Sequence, residues 1–169
     1  VEKAKQLLKE AGYEDGFSMT ITVPSNYTPH MNVAQVLVEQ LAQVGITATI
    51  KPVEWETWLS ETYMGRDFES TVVGFDAATL SAGALLNRWM INYDNPEYDA
   101  IMEKANTTTD DAEQTELYKQ AAKLLTETAA NVYIQDLADF VLIKSDLDGY
   151  QFYPLYVMDL STVHYVQSV

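Results

Sequence analysis

Ser18-Met19-Thr20-Ile21-Thr22-Val23-Pro24 decides the fold: apolar Met19, Ile21 and Val23 alternate with Ser18, Thr20 and Thr22. A period of two marks a strand with its two faces in different surroundings, and Pro24 closes it. Upstream, Ala4, Leu7, Leu8 and Ala11 recur at helical spacing, and Gly12 is placed to end that helix. Downstream, Ser25 to Pro29 reads as a loop. Val33, Val36, Leu37, Leu41 and Val44 then form the apolar stripe of a second helix, which Gly45 terminates. Ile46, Ala48 and Ile50 alternate with threonines, so a second strand runs to about Pro52. Trp55, Trp58 and Leu59 predict a short helix, and Thr71-Val72-Val73-Gly74-Phe75 a buried central strand. Strands alternating with helices over short links predict an α/β fold. Its sheet is open, mainly parallel and flanked by helices, with the three strands between Met19 and Phe75 adjacent.

The second half is more helical. Leu85, Leu86 and Trp89 fit one helical face. In Asn95-Pro96-Glu97 the amide can cap, Pro fits the first turn without wasting a donor, and Glu complements the helix dipole. Asp110 with Glu113 has the spacing of a capping box, and Leu117, Ala121, Leu124 and Leu125 carry that helix to about Ala129. Val132 to Ile134 and Phe140 to Ile143 read as two later strands. Tyr150 to Val166 is aromatic without a clean period.

Composition narrows the function. The chain has 169 residues, 47% of them apolar, enough for a sizeable core. Acidic residues outnumber basic ones 25 to 10, a formal charge of −15. Such a surface repels nucleic acid and anionic lipid. With no cysteine there is no disulfide, thiolate catalyst or Cys-based metal site. His30 and His164 lack metal-ligand spacing, and no nucleophile-elbow pattern surrounds the serines. No apolar run approaches the ~18 residues of a spanning helix. The chain opens already in helical pattern at Val1-Glu2-Lys3-Ala4, as a fragment of something longer would.

In an open α/β sheet, ligands bind beyond the carboxyl ends of the strands, near a switch point. That rule selects Ser25-Asn26-Tyr27, Glu54-Trp55 and Phe75-Asp76-Ala77. They supply hydroxyl, amide, carboxylate and three aromatic faces, the mixture of an apolar pocket with a few orienting polar groups. No Gly-rich loop opens a helix there, so phosphate is a poor fit. Each residue also has a plainer role: at least one of Trp55 and Trp58 belongs to the core, Tyr27 can pack on the second helix, Asp76 can cap, and Phe75 can be core.

Several segments resemble one family. Ala4-Lys5-Gln6-Leu7-Leu8-Lys9-Glu10-Ala11-Gly12 is similar to the A-K-x-L-L-x-E-A-G helix of bacterial extracellular solute-binding proteins of family 5, the dipeptide, oligopeptide and nickel-binding type. Leu41-Ala42-Gln43-Val44-Gly45-Ile46 resembles the end of that family's next helix, and Glu54-Trp55 with Trp58 its E-W-x-x-(Y/W) step. Asn92-Tyr93-Asp94-Asn95-Pro96-Glu97-Tyr98-Asp99 is similar to its N-Y-x-N-P-E-Y-D motif, the most specific of the set. Glu116 to Ala121 resembles the long helix that follows, and Leu147-Asp148-Gly149-Tyr150 with Tyr153-Pro154 a stretch near the family's end.

The resemblance implies one lobe of a two-lobed periplasmic-binding-protein-like fold. Residues 1–149 would be the ligand-binding C-terminal lobe, and 150–169 a segment crossing back toward a missing N-terminal lobe. It implies the substrate-binding component of an ABC importer, without catalysis or cofactor. That component holds a peptide or other small solute between its lobes and delivers it to a membrane permease. It would be extracellular, as a cell-surface lipoprotein or in the periplasm. The family's cleft-lining loops match Ser25 to Tyr27 and Phe75 to Ala78. Where peptide binders often carry G-W-x-x-D, this chain has Gly74-Phe75-Asp76-Ala77-Ala78, with Ala78 at the acidic position and Asp76 two residues early. Either Asp76 takes over the ligand's amine, or the ligand is not held there by a free amino terminus. The rival functions are a carboxylate-dependent hydrolase and a signalling or adhesion module that kept the fold without transport.

Overall fold

Strand β1 (Ser18–Pro24) lies between β2 (Thr47–Val53) and β3 (Ser70–Thr71) in a sheet of order β2-β1-β3. Both pairings are parallel. Ser18 to Pro24 run opposite Thr47 to Val53, and Ile21 and Thr22 opposite Ser70 and Thr71. The three strands are thus adjacent and parallel as predicted, but the third is shorter and earlier than Thr71 to Phe75. Its place is fixed by hydroxyls: Ser70 Oγ donates to Thr20 O at 2.9 Å, and Thr71 Oγ1 to Thr22 O at 2.7 Å. The computed structural model describes residues 1–74, 82–86, 93–135, 140–153 and 158–166.

Helix α1 (Glu2–Glu10) ends as Gly12 predicts. Gly12 takes φ +83°, Tyr13 N–H donates to Leu8 O and Gly12 N–H to Lys9 O, the paired closure of a Schellman motif. Helix α2 (Thr28–Ala42) covers one face of the sheet. Ile21, Val23, Ala34 and Ala48 are buried there, with Met19, Met31, Leu37, Val38, Leu41, Ile50 and Val72 packed around them. Burying side chains the size of Ile21 and Val23 stabilises by about 1.5–3 kcal/mol each. The opposite parity of β1 is buried too, for Thr22 is 4% exposed. That face meets the crossover from β2 to β3, which is α3 (Trp55–Thr57) running into a π-helix, Trp58–Met64.

The chain divides into two compact units, Val1–Phe75 and Asp76–Val169. In the second, α4 (Ala82–Leu85) precedes α5 (Pro96–Thr107) and α6 (Asp111–Glu127), which pack together. Tyr98, Ala121 and Leu125 are their buried centre, with Leu86, Tyr93, Ile101 and Met102 against it. Asn95 caps α5 as predicted, its Oδ1 accepting from Glu97 N–H at 2.9 Å and Tyr98 N–H at 3.3 Å. Asp110 caps α6 likewise, but the expected capping box is half formed. Glu113 turns to Thr108 Oγ1 and Lys104, and Asp110 N–H donates to the Thr108 hydroxyl instead.

The strands expected at Val132 to Ile134 and Phe140 to Ile143 do not form. These residues are exposed, Phe140 and Leu142 almost fully, and have no ladder partner among the described residues. The second sheet is a short antiparallel pair, β4 (Leu147–Asp148) with β5 (His164–Tyr165). Among the described residues no helix is long and apolar enough to cross a membrane.

Candidate functional site

The sheet order makes the end of β1 a switch point. The chain leaves β1 toward β2 on one side and returns through β3 on the other. Beyond the strand ends, Ser25 ties β1 to β2: its N–H donates to Val53 O at 2.8 Å and its Oγ to the same oxygen at 3.0 Å. The hydroxyl also lies 3.5 Å from Glu54 Oε1. The Ser25 oxygen keeps its acceptor capacity toward solvent, and Asn26 beside it is exposed.

Tyr27, the N-cap residue of α2, is 41% exposed. Its ring meets the half-buried Trp55 edge to face at 5.3 Å. Below it runs an aromatic column. Trp55 stacks on Trp58 at 5.2 Å and 8°, Trp58 on Tyr63 at 5.9 Å and 19°, and the Arg66 guanidinium lies 5.4 Å from the Tyr63 ring centre. The π winding makes the last stack possible. On an α-helix, residues five apart point about 140° apart, whereas wider winding returns them to one side. Trp58, 2% exposed, also donates its indole N–H to Thr71 Oγ1 at 2.9 Å. The column is thereby fastened to β3. Each aromatic pair contributes about 0.5–1.5 kcal/mol beyond its buried area. Exposed Tyr27 and half-buried Trp55 form an accessible end of this column.

Tyr27 also meets His30, their ring centres 5.1 Å apart. Its Nε2 accepts a hydrogen bond from Gly74 N–H at 3.0 Å. Burial lowers the pKa of this imidazole, so it is held neutral.

Of the residues predicted for the site, Ser25, Tyr27 and Trp55 are brought to one edge of the sheet, with Asn26 between the first two. Phe75, Asp76, Ala77 and Ala78 lie outside the described residues. Sequence reasoning weighed His30 only as a metal ligand and did not single out Tyr63 for the site. Tyr63 is five residues from Trp58, a spacing that an α-helical template sends to the far side. Nothing in the linear sequence joins His30 to Gly74, 44 positions on. Among the described residues no three His, Cys, Asp or Glu side chains gather as a metal site would need. A surface depression lined by Lys5, Lys9, Glu14 and Gly45 lies at the opposite edge, where the chain enters β1 and β2.

Residues 1–97 match the family model of bacterial extracellular solute-binding proteins, family 5, in its middle region. That is 97 of 169 residues, more than half of the chain. The chain belongs to this family. The family 5 chain is 28% identical to the dipeptide-binding protein of Escherichia coli over 173 residues, 91% of this chain and 31% of that protein. It is 34% identical to the glutathione-binding protein GsiB of the same organism over 139 residues, 73% of this chain and 27% of that protein. Among solved structures, Haemophilus influenzae OppA in complex with RPPGFSPFR shares its fold with a TM-score of 0.79 at 24% identity. The match covers 98% of this chain and 34% of that one. The family 5 chain thus spans about a third or less of the length of these relatives, whose own names describe binding proteins.

Proposed function

We propose that this chain is one lobe of the substrate-binding component of an ABC importer, capturing peptides or a related small solute between two lobes for delivery to a permease. The observation that carries it is the accessible Tyr27–Trp55 face, set beside Ser25 and Asn26 at the switch point of a family 5 sheet. An aromatic face flanked by a few polar groups suits an amide backbone with apolar side chains. The chemistry is capture without bond-breaking, with lobe closure excluding water. Residues 1–149 are the ligand-binding C-terminal lobe and 150–169 return toward an N-terminal lobe. The protein works outside the cytoplasmic membrane, as a surface lipoprotein or in the periplasm.

The names of the relatives supply the probes: Met-Leu from a Pseudoalteromonas dipeptide-binding protein, Ser-Thr-Ser-Ala from Helicobacter pylori DppA, and glutathione. The whole polypeptide, titrated calorimetrically with each, should bind at least one. Tyr27→Ala and Trp55→Ala should each weaken that binding about tenfold or more, in keeping with aromatic anchors. Binding to none of the probes, or unchanged binding in both variants, would sink the proposal. With Ala78 where peptide binders often carry an acid, the ligand's amine is not anchored at this loop. N-acetylated and free peptides should therefore bind within a few-fold of each other. A strong preference for the free amine, abolished by Asp76→Asn, would assign the amine to Asp76 instead.

A further inference from the structure

We infer that His30 is a positioning residue for the ligand-facing edge, joining the two sides of the switch point by holding the Tyr27 ring and the Gly74 amide at once; this rests on the function proposed above. Four observations carry it. First, β3 pairs with β1 only through Ser70 and Thr71, so the main chain at Gly74 is beyond the ladder. Exposed Gly74 nevertheless directs its N–H to a side chain of α2, donating to His30 Nε2 at 3.0 Å.

Second, the imidazole is anchored at its own end. His30 lies in the first turn of α2, its N–H donating to Tyr27 O at 3.0 Å and its ring tilted against the Tyr27 ring at 36°. Moving His30 moves Tyr27, the exposed half of the aromatic face. Third, residue 74 is glycine where close approach matters. A Cβ there would stand 3.3 Å from His30 Nε2, tighter than an ordinary contact, so a larger residue would push the imidazole away.

Fourth, the arrangement has a cost that a merely convenient side chain would not carry. With Nε2 accepting, the neutral ring must bear its proton on Nδ1. That Nδ1 is buried and has no hydrogen-bond partner among the described residues. An apolar residue at position 30 would remove this unsatisfied donor, but it would also release Gly74. The bond to Gly74 is therefore the function that explains a histidine at this position.

Three substitutions in the whole polypeptide test the inference, each titrated with the tightest-binding of Met-Leu, Ser-Thr-Ser-Ala and glutathione. His30→Phe keeps a ring against Tyr27 but has no acceptor. His30→Gln places its amide oxygen at about the reach of Nε2. His30→Asn carries the same amide one methylene shorter and cannot reach Gly74. We expect Phe and Asn to weaken binding about tenfold, the scale of one lost hydrogen bond, and Gln to stay within threefold of wild type. A purely structural role would lower the melting temperature of Phe and Asn while the folded protein kept its wild-type affinity. Should His30→Phe fail to fold, the Gln and Asn pair decides alone. Wild-type affinity in His30→Asn, or equal losses in Gln and Asn, would overturn the role of His30 and leave the function standing. A wild-type protein that binds none of the three probes would instead overturn the function, and this inference with it.

Discussion

At the scale of single residues, the buried core of the second unit contains one costly choice. Tyr98 is 1% exposed, its ring edge-on to Tyr93 at 5.4 Å, yet its hydroxyl has no hydrogen-bond partner among the described residues. Burial, and then the charges of Tyr133, Asp99 and Tyr93, push its pKa up to about 12. Removing an unsatisfied buried hydroxyl costs nothing in pairing. Tyr98→Phe should therefore leave stability unchanged or raise it by up to ~1 kcal/mol in urea unfolding. A loss larger than that would show that the hydroxyl is paired. The pH dependence has a definite sign. An unfolded tyrosine ionises near 10, whereas Tyr98 keeps its proton to about 12. Its contribution is thus complete below pH 10 and is lost as pH rises toward 12. The Phe variant should lack that part of the alkaline fall in stability.

Residues of the candidate site were unevenly legible. Ser25, Tyr27 and Trp55 could be selected from sequence because a strand pattern points to its own carboxyl end, and ligands gather there. The Trp55 and Trp58 pair also divided as spacing suggests, with Trp58 taken by the core and Trp55 left partly open. His30 was not legible, since its partner is a backbone amide on another strand's exit, and a main-chain N–H leaves no mark in sequence. Tyr63 was hidden by a helix template with the wrong winding.

The start of α5, whose cause is local, was read well, whereas the extent of β3 and the two later apolar runs, which depend on a partner, were not. Asn95 Oδ1 takes two amides of the first turn, and its Nδ2 donates to the Tyr93 hydroxyl at 2.6 Å. Asn95→Ala should cost ~1–2 kcal/mol, and Asn95→Asp should recover most of it, both measured by denaturant midpoint. An alanine variant as stable as wild type would show that packing alone starts the helix. Strand β3 depends on a partner. Val72 and Val73 have strong β propensity, yet pairing stops at Thr71, where the hydroxyl bonds to β1 stop. The apolar runs at Val132 to Ile134 and Phe140 to Ile143 make the same point. Their composition suits a strand, but a strand exists only where another backbone lies beside it, and sequence periodicity does not supply one.

For the whole molecule, the deciding fact is proportion. The chain spans 31% of the dipeptide-binding relative and 27% of the glutathione-binding one. A cleft that closes between two lobes buries most of its ligand, whereas one wall leaves every polar contact open to competing water. If the proposed function holds, the 169-residue chain alone should bind the tightest of the peptide probes at least about tenfold more weakly than the whole polypeptide. Calorimetry on both decides it, and equal dissociation constants would place the entire site within this chain. A formal charge of −15 favours solubility and disfavours nucleic acid and anionic lipid as partners.

The aromatic column has an optical consequence. Of the three tryptophans, Trp55 and Trp58 stand stacked in it, and Trp58 is sealed from solvent. Trp55 is half-buried and touches the exposed Tyr27 ring. A peptide settling on Tyr27 would alter the solvent around one emitter and leave its stacked neighbour undisturbed. The intrinsic fluorescence of the unlabelled protein should then shift on titration with peptide, and Trp55→Phe should abolish the shift while Trp58→Phe preserves it. A shift that survives Trp55→Phe would mean that the quanta report on a ligand resting elsewhere. If the shift behaves as expected, the protein needs no attached dye: the residue that receives the ligand is also the lamp that registers its arrival.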